Sequence, residues 1–279
     1  MPEGPSIVIL REQTAGFVGK TIAHAGGSAK DVDMAALAGQ PVLAMRSWGK
    51  HFLIQTPAAA LRIHLLMFGS YRINARKDAV PRLSLRFDDD GGELNFYTCS
   101  VKQLAPDLER QYDWRVDIMS DQWDAALALK KLRALPDTLA CDALLDQTIF
   151  AGVGNIIKNE VLFRIRLHPL ARLGDLPPRK LRELVEQARV YAGEFLEWKL
   201  AGTLKAHWLA HTKSGCPRCH IPFHRAQLGK TQRRSFFCTR CQKQYPTARE
   251  AAPDLLTPLA ITPARSDNKS RSQRTPPAS

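Results

Sequence analysis

Apolar and polar residues alternate in one segment of the first third of the chain, which predicts two paired β-strands. Leu83, Leu85 and Phe87 occupy every second position, and the alternation resumes at Leu94 and Phe96. The sequence Asp-Asp-Gly-Gly between the two runs is typical of a tight turn, because aspartate and glycine tolerate the backbone angles that turns require. The pattern therefore predicts a β-hairpin.

Three further segments complete the predicted N-terminal region. The runs 51–55 and 61–68 are short and apolar, and we expect them to be strands of the same sheet system. Residues 6–20 have enough apolar positions to form a helix that packs on that sheet. The first third of the chain is therefore predicted to be a β-rich domain.

The apolar period then changes to that of α-helix. Segment 121–135 has helical spacing, and a further helix is expected over 139–146. Segment 154–167 follows a glycine-rich stretch, with Asn155 as its expected N-cap. The clearest helix is 176–199, which starts on prolines and places its apolar residues on one face. The predicted fold class is therefore α+β with more than one domain.

The C-terminal segment differs in composition from the rest of the chain. Its last 34 residues contain six prolines and end in NKSRSQRTPPAS, a composition that cannot bury a core. We expect most of this segment to be disordered. The predicted domains are residues 1–118, 119–208 and 209–245, followed by a tail at 246–279.

The chain has a strong excess of positive charge. It contains 40 lysines and arginines and 27 aspartates and glutamates, which give a formal net charge of +13. Such an excess attracts polyanions, so nucleic acid is the first candidate partner, with a solvated basic surface as the alternative. No apolar run is long enough to span a membrane, and none resembles a signal peptide. We therefore expect an intracellular protein with no membrane partner.

Four of the six cysteines form two Cys-x-x-Cys pairs. The first pair is Cys216 and Cys219, and the second is Cys238 and Cys241. Two such pairs can surround one Zn²⁺ with a tetrahedral shell of thiolates, whereas disulfides are less expected inside a cell. Because the cysteines fill all four positions, the predicted zinc ion is structural and leaves no site for a catalytic water.

The residues around these cysteines are basic. From Trp198 to Arg249 the chain has eleven lysines or arginines and no acidic residue. A hairpin held by the metal would present Arg233 or Arg234 rigidly toward phosphates. A solvated basic face is the alternative.

Three separated motifs resemble those of one enzyme family. They are PEGP at 2–5, LLDQTIFAGVGNIIKNEVLF at 144–163, and QRRSFFC at 232–238 leading into the second cysteine pair. In combination they resemble the formamidopyrimidine-DNA glycosylase and endonuclease VIII family of base-excision repair, over about residues 1–245. The spellings PEGP and LLDQ are closer to the endonuclease VIII branch.

The resemblance implies a fold and a catalytic group. The implied fold is an N-terminal β-sandwich, a helix–two-turn–helix domain and a zinc finger, with DNA bound in the cleft between them. Removal of Met1 would expose Pro2 as the nucleophile, and Glu3 would be the neighbouring acid. Lys50 and the finger arginine Arg233 would complete the catalytic group. The resemblance also implies DNA contacts by Leu66, Met67 and Phe68 as a wedge, by Asn155 at a phosphate, and by Arg115 and Arg234.

An N-terminal proline suits this chemistry. A free α-amine has a pKa of about 8, against about 10 for lysine, so a useful fraction is neutral in the cell. A secondary amine that displaces a base at C1′ leaves a permanently cationic iminium. The cation acidifies the C2′ proton, which promotes elimination of the 3′ phosphate and then of the 5′ phosphate. The wedge would fill the gap that the extruded nucleotide leaves.

We therefore expect a bifunctional DNA glycosylase and abasic-site lyase that removes oxidised bases, pyrimidines before purines. The alternatives are an oxidised-purine glycosylase of the same family and a non-catalytic, zinc-containing DNA-binding protein. The expected partner is double-stranded DNA with damaged bases or abasic sites. We expect a monomer in the bacterial cytoplasm, associated with the nucleoid. The main departure from the family pattern is Ser6, where the family usually has glutamate.

Overall fold

A short helix opens the chain. The computed structural model describes residues 2–88 and 91–245, and its first helix, α1, is Gly4–Thr14. Pro5 lies in the first turn, where its missing N–H costs no helical hydrogen bond. Ile7 and Leu10 are buried against the neighbouring sheet. The predicted helix over 6–20 is therefore present, but it begins two residues earlier, at Gly4. It also ends earlier, because the chain tightens into a 3₁₀ turn at Ala15–Phe17.

Eight strands form two four-stranded antiparallel sheets with the orders β1-β6-β7-β5 and β2-β3-β4-β8. Their inner faces share one apolar core that includes Phe52 and Phe96. Two sheets that bury a common core form a β-sandwich, which confirms the predicted fold of this region. The strands are β1 Ile22–Gly26, β2 Ala44–Trp48, β3 His51–Gln55, β4 Ala60–His64, β5 Ser70–Ile73, β6 Leu83–Phe87, β7 Glu93–Tyr97 and β8 Ser100–Leu104, and a short helix α2, Met34–Leu37, follows β1.

The predicted hairpin is β6 and β7, in which Leu85 lies opposite Leu94. Residues 89 and 90 of the predicted turn lie outside the described residues. The strand expected over 61–68 is wrong beyond His64, where β4 ends. Residues 66–68 form an exposed turn instead.

The second half of the described chain is helical. Its core is apolar and includes Ile157, Val161, Leu184 and Ala188. The N-terminus of the first helix is capped by Asp124, whose carboxylate accepts a hydrogen bond from the Leu127 N–H at 2.9 Å. The helices are α3 Ala125–Arg133, α4 Ala140–Ala143, α5 Asn155–Arg164 and α6 Pro178–Leu200, which lie within or close to the predicted segments.

A two-stranded hairpin and the four cysteines form the last described element. Strand β9, His224–Leu228, pairs with β10, Arg233–Phe237, and the two cysteine pairs flank this hairpin in the chain. Arg218 fixes the element to the end of α5, because its Nη1 donates to the Phe163 carbonyl at 2.7 Å. The positive charge of Arg218 at the C-terminal end of α5 also interacts favourably with the helix dipole.

The β-sandwich and the helical part meet at the beginning of the chain. The Gly4 N–H donates to the Gly152 carbonyl at 2.9 Å, and the Ile118 N–H donates to the Ala151 carbonyl at 3.0 Å. The described residues belong to one compact unit, so the predicted division into domains 1–118, 119–208 and 209–245 stays a prediction. The predicted disordered tail, 246–279, lies outside the described residues. None of the helices described is long and apolar enough to cross a membrane.

Candidate functional site

A cleft of about 800 Å³ lies between the β-sandwich and the C-terminal end of α6. Pro2 and Ser6 line one side of it, and Met67 and Phe68 line it from the turn after β4. The opposite side is formed by the chain after α6, which includes Lys205 and Trp208. Pro2 therefore lies at the wall of a cleft large enough for a nucleotide base.

The carboxylate of Glu3 is buried against the N-terminus of α5. It accepts hydrogen bonds from the N–H groups of Gly154 at 3.0 Å, Ile156 at 2.7 Å and Ile157 at 3.2 Å. These N–H groups have no partner within the helix, and the helix dipole favours an anion at this end. Glu3 thus caps a helix of the helical part while its own backbone begins α1 of the β-sandwich part.

Gly154 is required for this contact. A Cβ atom at this position would lie 2.4 Å from Cδ of Glu3, closer than carbon atoms can approach. The glycine of the GVGN motif therefore admits the carboxylate to the helix end.

Asn155 is not the N-cap of α5, as the sequence suggested. It is the first helical residue, and Gly154 holds the N-cap position without a side-chain cap. The cap is Glu3, from a distant part of the chain, so local sequence rules chose the wrong residue. The Asn155 Nδ2 donates instead to the Arg234 carbonyl at 3.0 Å.

Lys50 lies close to Glu3, in the turn between β2 and β3. Burial raises the pKa of Glu3, and the charge of Lys50 opposes that rise. Burial lowers the pKa of Lys50; Glu3 opposes this, and the charge of Arg233 adds to it. The structure therefore brings Glu3, Lys50 and Arg233 into one electrostatic group beside Pro2. A carboxyl group with a raised pKa and an amine with a lowered pKa are closer in proton affinity than the free groups, which suits a site that transfers protons.

The two hairpin arginines differ in their surroundings. Arg233 is half-buried and acts electrostatically on Lys50, whereas Arg234 is exposed. Side chains alternate between the two faces of a strand, so adjacent arginines of β10 point in opposite directions. The arginine that faces the Glu3 group is Arg233.

The turn after β4 exposes three large apolar side chains. Leu66, Met67 and Phe68 are all exposed, and Phe68 is 81% exposed. Leu66 has φ of 52°, an unusual angle for a residue with a branched side chain. The Gly69 N–H donates to the Leu65 carbonyl at 2.7 Å and closes the turn. Apolar side chains on a tight turn beside a cleft form a surface that can fill a gap in a base stack.

Arg115 lies in the segment that links the β-sandwich to the helical part. Its guanidinium pairs with Asp113, at 2.9 Å from Nε to Oδ1. The structure thus places Arg115 in an ion pair of the linker and not in the group around Glu3.

The four cysteines come together as the spacing predicted. The Sγ atoms of all four lie within 4.8 Å of one another. Four thiolates at such short distances can bind one metal ion. A set of four sulfur ligands suits the tetrahedral geometry that Zn²⁺ adopts. The cluster therefore anchors both ends of the β9–β10 hairpin.

Sequence reasoning missed several polar residues near the cleft. Lys158 and Asn159 are buried in α5 and contact the hairpin. His51 and His64 lie near Lys50, and burial lowers the pKa of both, that of His51 to about 3. The one signal in the sequence is the run Lys-Asn-Glu within an otherwise apolar helix.

Comparison with known sequences identifies two domains. The formamidopyrimidine-DNA glycosylase N-terminal domain matches residues 1–99, and the H2TH domain of the same glycosylase matches residues 116–199. Together these two matches cover about two thirds of the chain. They span α1, strands β1 to β7 and the helices up to α6.

Relatives with curated names match over most of the chain. "Endonuclease 8-like 3" of Mus musculus is 32% identical over 231 residues, which are 78% of this chain and 38% of that protein. "Endonuclease 8 2" of Mycobacterium bovis is 28% identical over 270 residues, 87% of this chain and 100% of that protein. The chain thus spans well under half of the mouse relative.

Among solved structures, the fold resembles that of Lactococcus lactis formamidopyrimidine-DNA glycosylase bound to DNA with an abasic site. The TM-score is 0.76 at 21% identity, and the match covers 87% of this chain and all of that one. At this identity the likeness concerns the fold alone. From the two domain matches, the curated relatives and the shared fold, we conclude that the chain belongs to the formamidopyrimidine-DNA glycosylase and endonuclease VIII family.

Proposed function

We propose that the protein is a bifunctional DNA glycosylase and abasic-site lyase that removes oxidised bases, with pyrimidines favoured. The observation that carries the proposal is the position of Pro2 at the wall of the cleft, with buried Glu3 beside it. Removal of Met1 would turn the Pro2 nitrogen into a secondary amine at this position. The motifs PEGP and LLDQ, which resemble those of the endonuclease VIII branch, are the reason to favour pyrimidines.

In the proposed reaction, the nitrogen of Pro2 forms a bond to C1′ as the bond from C1′ to the base breaks. The departing base takes up a proton, and the sugar ring opens to an iminium on Pro2. Loss of the C2′ proton then expels the 3′ phosphate, and a second elimination expels the 5′ phosphate. Water finally releases the sugar fragment and restores the amine.

The residues around Pro2 have separate parts in this reaction. Glu3, whose pKa burial raises, can hold and return a proton at the sugar. Lys50 and Arg233 supply positive charge for the phosphates beside the lesion. The turn with Phe68 would fill the gap left by the extruded nucleotide.

The four cysteines support a structural zinc ion. Because all four ligands come from the protein, the ion has no open position for water, and its part is to hold the β9–β10 hairpin. One chain supplies Pro2, Lys50 and Arg233, so we propose that the protein acts as a monomer on double-stranded DNA.

Borohydride trapping tests the proposal. Reduction of the iminium should link the protein covalently to DNA that contains an abasic site. The adduct should be lost in protein that retains Met1, because the nitrogen of Pro2 is then part of a peptide bond and is not nucleophilic. Correctly processed wild-type protein that gives no adduct would refute the lyase and support a non-catalytic DNA-binding protein.

The serine at position 6 makes it necessary to compare the excision of different damaged bases. It lines the cleft at a position where the family usually has a carboxylate. Excision of thymine glycol and of 8-oxoguanine should be measured on otherwise identical duplexes. Faster excision of 8-oxoguanine would replace the pyrimidine preference with the purine alternative.

A further inference from the structure

Two adjacent polar residues of α5 are almost completely buried. Lys158 and Asn159 are each 1% exposed, in a helix whose neighbouring residues belong to apolar cores. Burial of an amine or an amide without partners is costly. The partners of these two side chains therefore indicate what this face of α5 is built to hold.

Both side chains bind the backbone or side chains of one short segment of β10. The Lys158 Nζ donates to Ser235 Oγ at 2.8 Å and to the Arg234 carbonyl at 3.3 Å. The Asn159 Nδ2 donates to the same carbonyl at 3.3 Å, and its Oδ1 accepts from the Phe236 N–H at 3.1 Å. Three consecutive residues of β10 are thus fixed by two neighbouring side chains of α5.

The other end of the hairpin is held by a different helix. Asp142, of α4, accepts a hydrogen bond from the Lys230 N–H at 3.0 Å. Gly229 has φ of 71°, and a Cβ atom there would lie 2.3 Å from the Asp142 carboxylate. The hairpin is therefore held at its turn by Asp142 and along β10 by α5. The cysteine pairs hold it at its two ends.

The direction of Arg233 follows from these contacts. The side chain of Ser235 points to Lys158, and Arg233, two residues earlier in β10, lies on the same face of the strand. That face is directed at α5, whose N-terminus lies against Glu3. A shift of β10 along its axis or a rotation about it would therefore move the Arg233 guanidinium away from the group around Glu3.

We propose that Lys158 and Asn159 are positioning residues, which hold the backbone of Arg234 and Ser235 so that Arg233 reaches the phosphates at the cleft. Lys158 is too deeply buried to touch DNA, so it acts through Arg233. Burial lowers the pKa of Lys158 to about 8, and the charge of Arg233 adds to this, so the two cations lie near each other. The inference rests on the function proposed for the cleft.

The test compares two lysines that make the same type of contact. Lys158→Met removes the amine and keeps a side chain of similar length. Lys180→Met is the matched control, because Lys180 Nζ also donates to a backbone carbonyl of this helical region, that of Ile165 at 2.8 Å. On duplex DNA with an abasic site, we expect kcat/KM to fall about tenfold in Lys158→Met and less than twofold in Lys180→Met. An equal effect of both substitutions would overturn the proposal.

A double-mutant cycle separates positioning from general stability. If Lys158 acts through Arg233, then adding Lys158→Met to Arg233→Ala should lower kcat/KM by less than a further twofold. A further tenfold loss in the double variant would mean that Lys158 acts elsewhere, and would overturn the proposal.

The metal content of the variants and the activity of Asn159→Asp distinguish a loss of positioning from a loss of the bound metal. The metal content of each variant should equal that of the wild type. If Lys158→Met loses metal, the decision rests on Asn159→Asp, which keeps the acceptor for Phe236 and loses the donor to the Arg234 carbonyl. Asn159→Asp with kcat/KM within twofold of wild type would then overturn the proposal. An inactive wild-type protein would instead refute the function proposed for the cleft.

Discussion

The Oε1 atom of Glu3 lies 2.7 Å from the backbone nitrogen of Ile156, and this hydrogen bond joins the beginning of the chain to the N-terminus of α5. The residue next to the proposed nucleophile is therefore held by the helical part and not by the β-sandwich to which α1 belongs. The position of Pro2 relative to the cleft depends on both parts together.

Glu3→Gln should impair both activity and stability. An amide places donor hydrogens where three N–H groups require an acceptor, so we expect the free energy of unfolding to fall by about 1–3 kcal/mol. We expect excision and strand cleavage to fall at least a hundredfold, because the amide cannot carry the proton. Glu12→Gln, at an exposed carboxylate of α1, is the control. Normal cleavage by Glu3→Gln would contradict the proton role.

Arg233→Ala and Arg234→Ala should differ in effect. Arg233 faces the group around Glu3, so its loss should lower the rate of strand cleavage about a hundredfold, the size expected when a charge on the reacting phosphate loses its partner. Arg234 is exposed on the opposite face of β10, so its loss should lower DNA affinity a few-fold and reduce the salt dependence of binding. Single-turnover cleavage and binding at several salt concentrations separate the two. A larger loss of cleavage in Arg234→Ala would reverse the assignment.

Phe68→Ala should affect duplex substrates alone. The side chain is 81% exposed, so we expect the free energy of unfolding to change by less than about 0.5 kcal/mol. Excision of a damaged base from duplex DNA should fall about tenfold, because the gap in the stack is no longer filled. Cleavage of a single-stranded abasic oligonucleotide should not change. Val80→Ala, at a side chain 77% exposed and outside this turn, is the control, and equal effects of the two changes would refute the wedge.

Removal of the metal should abolish strand cleavage and leave the β-sandwich folded. Within residues 2–88 and 91–245, the buried core of the sandwich contains no residue beyond Val101, whereas the cysteines hold the hairpin that carries Arg233. After treatment with a chelator, near-complete loss of cleavage should accompany a retained β-sheet signal in circular dichroism. Added Zn²⁺ should restore cleavage. Full cleavage by metal-depleted protein would show that the hairpin is held without the ion.

Asp117 should make stability depend on pH. Burial raises the pKa of its carboxyl from the usual 3.8 to about 6, so the folded protein binds a proton there more tightly than the unfolded chain does. The resulting stabilisation is complete below pH 4 and is lost as the pH rises through 6, a loss of about 3 kcal/mol. Asp117→Asn cannot ionise, so its stability relative to wild type should rise by about that amount between pH 4 and pH 7.

Urea denaturation at pH 4, 5.5 and 7 measures this difference. Asp137→Asn is the control, since the Asp137 side chain is 90% exposed. A constant difference between Asp117→Asn and wild type across the three pH values would contradict the effect of burial.

The features that the sequence predicted well depend on local patterns. The alternation from Leu83 to Phe96 has a period that a half-buried strand alone satisfies, and β6 and β7 lie where it indicates. The cysteine spacing requires only two tight turns, and the four Sγ atoms do meet. The periodicity of α6 likewise follows from the one face it buries.

The errors arose where a distant residue or an exposed surface decided the structure. Asn155 has the side chain of an N-cap, but Glu3, more than 150 residues earlier, occupies that place. Residues 65–68 are as apolar as a buried strand, and three of them are exposed in a turn at the cleft. The buried pair Lys158 and Asn159 left only the run Lys-Asn-Glu as a signal, and such a run is equally typical of the solvated face of a helix.

The hydrogen bonds of Glu3 to α5 connect residues that are 151 to 154 positions apart in the chain. Contacts of such sequence separation form late in folding, since a large loop must close before they contribute. The strand pairs of the β-sandwich join residues that are closer in the chain, at most 65 positions apart for Ile22 and Phe87, so the sandwich can form first. We therefore expect the contacts that place the amine of Pro2 at the cleft to form last, and refolded protein to recover its sheet structure before its ability to react with DNA.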